Sequence, residues 1–251
     1  MSKHRDFKLA EHYAHRGLYD NNGGIPENSM AAFRKAAENR IPVEFDIHLL
    51  ADGGLAIFHD AGLERMTGVS GQIEDYDTTN LSRLRLLGTD EKIPMLDELL
   101  DLFEDTGIPL LVELKPERGN HRELTKAVCD RLNRYRGEYV IESFDPRVLI
   151  EYRKLRPDVI RGQLAQDFFK DNGGLGVLQT LLLSSMVMDV RAKPDFIAYK
   201  YEDRNYPLVR ILIDKFGIPE ASWTVKTPEQ YLDAVRAGCT PIFENFYPGD
   251  L

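Results

Sequence analysis

The chain has 251 residues, of which 43% are hydrophobic and 29% charged, and this globular composition excludes collagen-like and disordered proteins. The formal net charge of −9 at pH 7 offers no basic surface for a nucleic-acid duplex, so we expect no nucleic-acid partner. Two cysteines, Cys129 and Cys239, are too few for a disulfide scaffold, and no apolar leader follows Met1, so we predict a cytoplasmic protein.

Short β-rich runs alternate with helical stretches along the chain. The predicted strands are 13–15, 43–49, 110–114, 139–144, 159–164, 196–199, 222–225 and 241–243. The predicted helices are 29–39, 96–104, 122–134, 147–155, 175–190, 208–216 and 228–237. Segment 175–190 is the most apolar, but its polar residues exclude a membrane span. Asn28, Asp145 and Thr227 are placed to cap helices, and Gly217 is placed to end one.

This alternation is typical of a parallel sheet with helical crossovers. Eight such units in a chain of this length predict a (β/α)8 TIM barrel that forms a single domain over 1–251. A doubly wound open sheet is the alternative, but no GxGxxG motif follows the first predicted strand.

One segment interrupts the alternation after the second strand. Asp52-Gly53-Gly54 predicts a hairpin between strand 43–49 and a further strand-like run at 55–58. Residues 60–93 then show weak periodicity and several turn formers. They are too few for an independent core, so we interpret them as a small insertion.

Polar side chains lie at the ends of the first two strands, where a barrel places its catalytic groups. The first strand ends in His15-Arg16-Gly17, in which arginine suits bidentate recognition of a phosphate or a carboxylate. Glu44 and Asp46 share one face of the second strand, since side chains alternate along a strand. Two buried like charges require a cation between them, which can be a metal or a pair of basic side chains.

The third site strand carries Glu113 and Lys115 on one face, and a plain internal ion pair is one interpretation. Oxygen donors from two strands also suit a hard divalent cation, Mg²⁺ or Ca²⁺. His59 follows the hairpin strand and is a candidate general acid or base, because the unperturbed pKa of histidine is about 6.5. Together with His15, these residues predict metal-assisted attack at phosphorus.

For two residues of the C-terminal half, the sequence alone allows two interpretations each. Lys200 follows strand 196–199 and either faces the site or is solvated. Trp223 either belongs to the barrel core or lines a substrate pocket.

Five short motifs in order resemble the N-terminal signature of the glycerophosphodiester phosphodiesterase family. They are His15-Arg16-Gly17, Pro26-Glu27-Asn28-Ser29, Glu44-Phe45-Asp46, Asp52-Gly53 and His59-Asp60, with Arg65 following. Val112-Glu113-Leu114-Lys115 is similar to a later family block, and Trp223-Thr224-Val225 is a looser match. The likeness extends over about residues 11 to 245.

The resemblance implies a TIM barrel that hydrolyses glycerophosphodiesters to glycerol 3-phosphate and an alcohol. By the same likeness, one divalent cation binds the carboxylates, and two histidines form the general acid/base pair. The residues implied are Glu44, Asp46 and Glu113 for the cation, His15 and His59 for proton transfer, Arg16 and Lys115 for the phosphate, and Trp223 for the glycerol moiety.

Other functions remain as alternatives. A lysophospholipase D or a sphingomyelinase D-like enzyme would use the same fold, but the charged composition of segment 60–93 favours soluble glycerophosphodiesters. A non-catalytic sensor would bind a phosphodiester without turnover. An enolase-like barrel takes its metal ligands from three consecutive strands, whereas Glu44 and Asp46 share one strand.

Overall fold

The computed structural model describes residues 7–167, 170 and 189–251. The chain divides into two compact units, one formed by Tyr13–Val140 and the other by Met1–His12 with Ile141–Leu251. The helix predicted at 175–190 lies outside the described residues, apart from its last two positions.

The first unit, Tyr13–Val140, contains a parallel sheet with one antiparallel addition. Its strands are β1 (Tyr13–Ala14), β2 (Val43–Leu49), β3 (Leu55–Ile57) and β4 (Leu110–Leu114). Its helices are α1 (Met30–Glu38), α2 (Glu64–Thr67), α3 (Thr78–Leu81), α4 (Leu96–Phe103) and α5 (His121–Leu132). Strand β2 is parallel to β1 and β4 and antiparallel to β3, which confirms the predicted hairpin.

The second unit contains successive parallel strands in the order β5-β6-β7-β8-β9. The strands are β5 (Tyr139–Ser143), β6 (Arg161–Ala165), β7 (Phe196–Lys200), β8 (Glu220–Val225) and β9 (Thr240–Phe243). The helices are α6 (Pro146–Leu155), α7 (Asp189–Ala192), α8 (Pro207–Phe216) and α9 (Pro228–Arg236). Together with the elements of the first unit, these are the elements of a (β/α)8 barrel with β3 as an extra strand, which confirms the predicted fold class.

The insertion packs on β3 through its own apolar side chains. It consists of α2, a 3₁₀ turn at Ile73–Asp75 and α3. The buried cluster beneath it is formed by Leu50, Ala56, Phe58, Leu63, Met66, Ile73, Leu81, Leu86 and Ile93. Burial of this cluster against β3 holds the segment after the hairpin in place. This segment includes His59, which lies two residues after β3.

Most predicted helix caps are confirmed, but the first is wrong. Asp145 and Thr227 accept hydrogen bonds from backbone N–H groups of the helices that follow them, and Gly217 ends α8 in the left-handed region. The cap of α1 is Ser29, whose hydroxyl accepts from the backbone N–H of Ala32, and not Asn28. The Asn28 side chain instead donates to a carboxylate of β2, which is described with the site below.

The described part of the chain contains no helix long and apolar enough to cross a membrane. Cys129 and Cys239 are both buried, and neither forms a disulfide.

A buried ion pair stabilises the amino-terminal ends of β6 and β7 in the second unit. Arg161 and Asp195 are both buried, with Nη2 of the arginine 3.3 Å from Oδ2 of the aspartate. The same Oδ2 accepts from the backbone N–H of Arg161 at 3.1 Å. Burial lowers the pKa of Arg161, and the charge of Asp195 opposes that effect. Asp195 therefore compensates the charge of a buried guanidinium group.

We expect Asp195→Asn to lower the free energy of unfolding by about 3 kcal/mol, because it removes the carboxylate that pairs with the buried guanidinium of Arg161. Urea denaturation at neutral pH measures this change. Asp130→Asn is the control, since its partner Lys126 is exposed and the pair lies on the surface. We expect almost no change there. A loss for Asp195→Asn as small as that of the control would contradict a stabilising role of the buried pair.

Candidate active site

Three carboxylates of the first unit lie together on β2 and β4. The two-residue period of β2 places Glu44 and Asp46 on one face, and the parallel register sets Asp46 opposite Glu113. One oxygen from each of the three lies within 4.8 Å of the other two, and all three side chains are buried. The predicted grouping of these acids is therefore present in the structure.

Two basic side chains lie against the carboxylates, as the like charges require. Nζ of Lys115 lies 3.1 Å from Oε1 of Glu113 and 3.4 Å from Oδ1 of Asp46. Nε of Arg16 lies 3.8 Å from Oδ2 of Asp46, and the backbone N–H of Arg16 donates to Oε2 of Glu44 at 3.0 Å. The ion pair predicted for Glu113 and Lys115 is therefore present, and Glu113 also belongs to the acidic cluster.

The backbone turn after β1 positions Arg16. Arg16 itself has a positive φ of 54°, and Gly17 follows with a φ of 80°. A Cβ on Gly17 would meet Ala32 Cβ and Phe33 Cδ1 at 3.0 Å, so glycine allows the turn to lie close to α1. This turn aims the backbone N–H of Arg16 at the carboxylate of Glu44.

Electrostatics distinguish Asp46 from Glu113. Burial would raise the pKa of Asp46, but the charges of Lys115, His59 and Arg16 hold it well below its usual range. Asn28 contributes in the same direction, because its Nδ2 donates to Oδ2 of Asp46 at 2.8 Å.

For Glu113 the balance has the opposite sign. Burial and the negative charge of Asp46 raise its pKa to about 7, although Lys115 opposes them. Burial, the first cause, and the nearby charge of Asp46 thus disfavour a second ionised carboxylate beside Asp46. Three acidic oxygens in such a cluster suit a hard divalent cation such as Mg²⁺ or Ca²⁺.

The two predicted catalytic histidines lie in the same unit as the carboxylates. Nε2 of His15 lies 4.0 Å from Oε2 of Glu44, and the ring is largely buried. His59 is about one-third exposed, and its Nδ1 lies 2.6 Å from Oδ1 of Asp60. Burial lowers the pKa of His59 below its usual value, and Asp46 and Asp60 oppose that effect. Burial therefore favours the neutral form of His59, which is the form that can accept a proton.

Sequence reasoning assigned no role to Glu27, Asp60 and Arg65, which the structure joins. Nη2 of Arg65 donates to Oε1 of Glu27 at 2.7 Å, and Nε donates to Oδ2 of Asp60 at 2.5 Å. Nη1 of Arg16 donates to the same Oε1 of Glu27 at 2.6 Å. Burial would raise the pKa of Glu27, but hydrogen bonds from Arg65 and Asn21 and the charge of Arg16 lower it to about 2. These residues belong to the motifs that resemble the family signature, and that resemblance could have singled them out. Their spacing in the sequence does not predict the contacts.

Trp223 and Lys200 belong to the other compact unit. They are register partners on β8 and β7, and Trp223 Nε1 donates to the carbonyl of Ala198 at 3.2 Å. The indole lies edge-on to the ring of Phe144, with the ring centroids 5.4 Å apart. The substrate contacts predicted for Trp223 and Lys200 stay predictions.

Comparison with known proteins extends over nearly the whole chain. The model of the glycerophosphoryl diester phosphodiesterase family matches residues 15–247, which include every predicted site residue. The chain belongs to this family. The match also covers Glu27, Asp60 and Arg65, whose contacts connect the predicted site residues.

Individual relatives agree with the family assignment. A glycerophosphodiester phosphodiesterase of Caldanaerobacter subterraneus is 29% identical over 245 residues, which is 91% of each chain. A human lysophospholipase D is 30% identical over 145 residues, which is 53% of this chain and 44% of the human protein. A phosphodiesterase of Oleispira antarctica, solved with its product sn-glycerol-3-phosphate, superposes with a TM-score of 0.77 at 24% identity. That comparison covers 94% of this chain and 93% of the other, so it supports the fold.

Proposed function

We propose that this protein hydrolyses glycerophosphodiesters to glycerol 3-phosphate and an alcohol, and that it depends on one divalent cation, Mg²⁺ or Ca²⁺. The observation that carries the proposal is the buried cluster of Glu44, Asp46 and Glu113, with His15 beside it, in a chain of this family. The relative that matches along 91% of its length has the same named activity.

Glu44, Asp46 and Glu113 are proposed to hold the cation. When bound, a divalent cation polarises a phosphoryl oxygen and stabilises the charge that develops in the transition state. Arg16 and Lys115 are proposed to donate charge-assisted hydrogen bonds to the phosphate oxygens. Both lie against Asp46 in the structure, so a phosphate bound by them would lie close to the acidic cluster.

His15 and His59 are proposed to move the protons. One takes a proton from the nucleophile, which is water or the neighbouring glycerol hydroxyl, and the other gives a proton to the departing alkoxide oxygen. Water supplies the oxygen and both hydrogens in the net reaction, so one diester gives one monoester and one alcohol. Burial, the first cause of the lowered pKa of His59, favours the neutral form of this histidine.

The decisive experiment is glycerol 3-phosphate release from glycerophosphocholine. We expect none after treatment with EDTA, because the acidic cluster then lacks its cation, and recovery when Mg²⁺ or Ca²⁺ is added back. Glycerophosphoethanolamine serves as a second substrate. Circular dichroism of the EDTA-treated protein is the control, since it shows that the fold is retained. A folded protein that releases no product with either metal would contradict the proposal.

A lysophospholipase D is the second candidate, because the human relative carries that name. Among the described residues of the insertion, Val69 and Leu87 are the exposed large apolar side chains. Two such residues make a small apolar surface, and this favours soluble diesters over lipids. Turnover of lysophosphatidylcholine above that of glycerophosphocholine, at equal concentration, would reverse the order of the two candidates.

A further inference from the structure

The guanidinium group of Arg65 bridges two acidic side chains. Its Nε and Nη2 donate to the two oxygens of Asp60, at 2.5 and 3.0 Å. Its Nη1 and Nη2 donate to the two oxygens of Glu27, at 3.0 and 2.7 Å. Both contacts have the forked geometry in which arginine binds carboxylates best. The Arg65 side chain is 45% exposed, and these four hydrogen bonds hold its guanidinium group between the two carboxylates.

Each of the two acids also binds a residue of the candidate active site. Oδ1 of Asp60 accepts a hydrogen bond from Nδ1 of His59 at 2.6 Å. Oε1 of Glu27 accepts one from Nη1 of Arg16 at 2.6 Å. A continuous series of bonds therefore runs from the histidine to the arginine proposed to bind phosphate, with Arg65 at its centre.

The ionisation of Asp60 determines which nitrogen of His59 carries hydrogen. Burial would raise the pKa of Asp60, but hydrogen bonds from His59 and Arg65 hold it well below its usual range. An ionised carboxylate only accepts hydrogen bonds, so Nδ1 of His59 is the donor. Nε2 is then the nitrogen that remains for a reacting group. Because Arg65 binds both oxygens of Asp60, the carboxylate cannot rotate away from the ring.

We propose that Arg65 is a positioning residue of this enzyme. It fixes the Asp60 carboxylate so that His59 presents Nε2, and it connects this arrangement through Glu27 to Arg16. The inference rests on the proposed acid/base role of His59. Arg65 touches no reacting atom, and its effect on the reaction is exerted through the two carboxylates.

The alternative is a purely structural role, in which Arg65 only anchors the insertion. Arg118 offers a matched comparison for this alternative. Nη1 and Nη2 of Arg118 bind the two oxygens of Asp75 in the 3₁₀ turn of the insertion, at 2.5 and 3.2 Å. This pair also joins the insertion to a neighbouring loop, and the Arg118 side chain is 58% exposed. Arg118 has no bond to either catalytic histidine among the described residues. Arg118→Ala therefore removes a similar anchor and leaves His59 untouched.

The test compares Arg65→Ala, Arg65→Lys and Arg118→Ala. NMR of protein labelled with ¹⁵N-histidine, in the absence of metal, reports which ring nitrogen of His59 carries hydrogen. Steady-state kinetics on glycerophosphocholine with added metal give kcat and KM separately. Adding guanidinium to Arg65→Ala tests whether the missing group can be supplied from solution, which the exposure of the site allows.

For Arg65→Ala we expect His59 to lose its fixed Nδ1–H form and kcat to fall about 10- to 100-fold, with KM changed less. Added guanidinium should restore part of kcat. Arg65→Lys should behave like the alanine variant, because a single ammonium group cannot bind both acids in forks. Arg118→Ala should match the wild type in the NMR spectrum and in kcat.

Two results would overturn the proposal. One is a wild-type His59 spectrum together with wild-type kcat in Arg65→Ala or, if that variant does not fold, in Arg65→Lys. The other is an equal loss of kcat in Arg65→Ala and Arg118→Ala, which would indicate anchoring of the insertion alone. If the wild type releases no product with any metal but Arg65→Ala still alters the His59 tautomer, the proposed function fails while the positioning of His59 stands.

Discussion

Replacing His59 by alanine is expected to lower kcat by about 10²–10⁴-fold, the range that loss of a general acid or base produces. The ring is about one-third exposed, so its removal leaves no large cavity in the core. It is not one of the three grouped carboxylates, so metal binding should persist. The measurement is kcat for glycerol 3-phosphate release at saturating substrate and metal, with metal affinity measured by calorimetry on the same preparation.

His15→Ala is expected to have an effect of the same size, since proton transfer needs both an acid and a base. His15 lies 4.0 Å from Glu44, so calorimetry is needed to separate loss of proton transfer from a disturbed cluster. His121→Ala is the matched control, because this histidine begins α5 and its ring Nδ1 lies 3.1 Å from the backbone carbonyl oxygen of Gly119. Its kcat should equal that of the wild type. Wild-type turnover in His15→Ala or His59→Ala would remove that residue from the acid/base pair.

The strands that carry the carboxylates could be predicted because the signal is local. In β2, acidic residues at 44 and 46 alternate with apolar residues, and β-strand geometry converts this order directly into two faces. The cap at Asp145 was predictable for the same reason, since its acceptor and the N–H of Arg147 are two residues apart. The parallel register of β2 and β4 then sets Glu113 opposite Asp46.

The failure at Asn28 shows how a distant charge overrides a local preference. Asn28 precedes α1 and has a side chain suited to capping. Its amide instead donates to Asp46, 18 residues away, and Ser29 takes the cap. A hydrogen bond to a buried, ionised carboxylate is stronger than one at a helix end. The sequence does not indicate where Asp46 lies relative to the loop that carries Asn28. The shift of the helix cap from Asn28 to Ser29 could therefore not be predicted.

The bonds of Arg65 were beyond prediction for a related reason. Glu27 and Arg65 are 38 residues apart, and their contact depends on how the insertion packs on β3. The raised pKa of Glu113 likewise arises from burial and from a neighbour on another strand. Residue types indicated which chemistry is present, whereas the ionisation of each group depends on the folded arrangement.

Glu44→Gln is expected to weaken the binding of a divalent cation by at least about 100-fold, which exceeds the usual effect of changing a residue that only supports a ligand. The change removes a charge but keeps the shape and a carbonyl oxygen, so the bond from the Arg16 N–H can persist. Isothermal calorimetry on EDTA-treated protein, with Mg²⁺ and Ca²⁺ as titrants, measures the loss. Unchanged affinity would remove Glu44 from the metal site.

Thermal unfolding distinguishes a lost metal ligand from a damaged fold, because only a damaged fold lowers the Tm of the metal-free protein. Three carboxylate oxygens within 4.8 Å repel one another, so Glu44→Gln should not lower the Tm without metal, while the increase in Tm caused by added metal should disappear. Glu220→Gln is the control for loss of a buried charge, because Glu220 accepts from Arg210 at 2.7 Å and lies outside the cluster. That variant should lose Tm without metal and keep the increase on metal binding. If the two variants differ in this way, Glu44 contributes to cation binding and not to the stability of the metal-free fold.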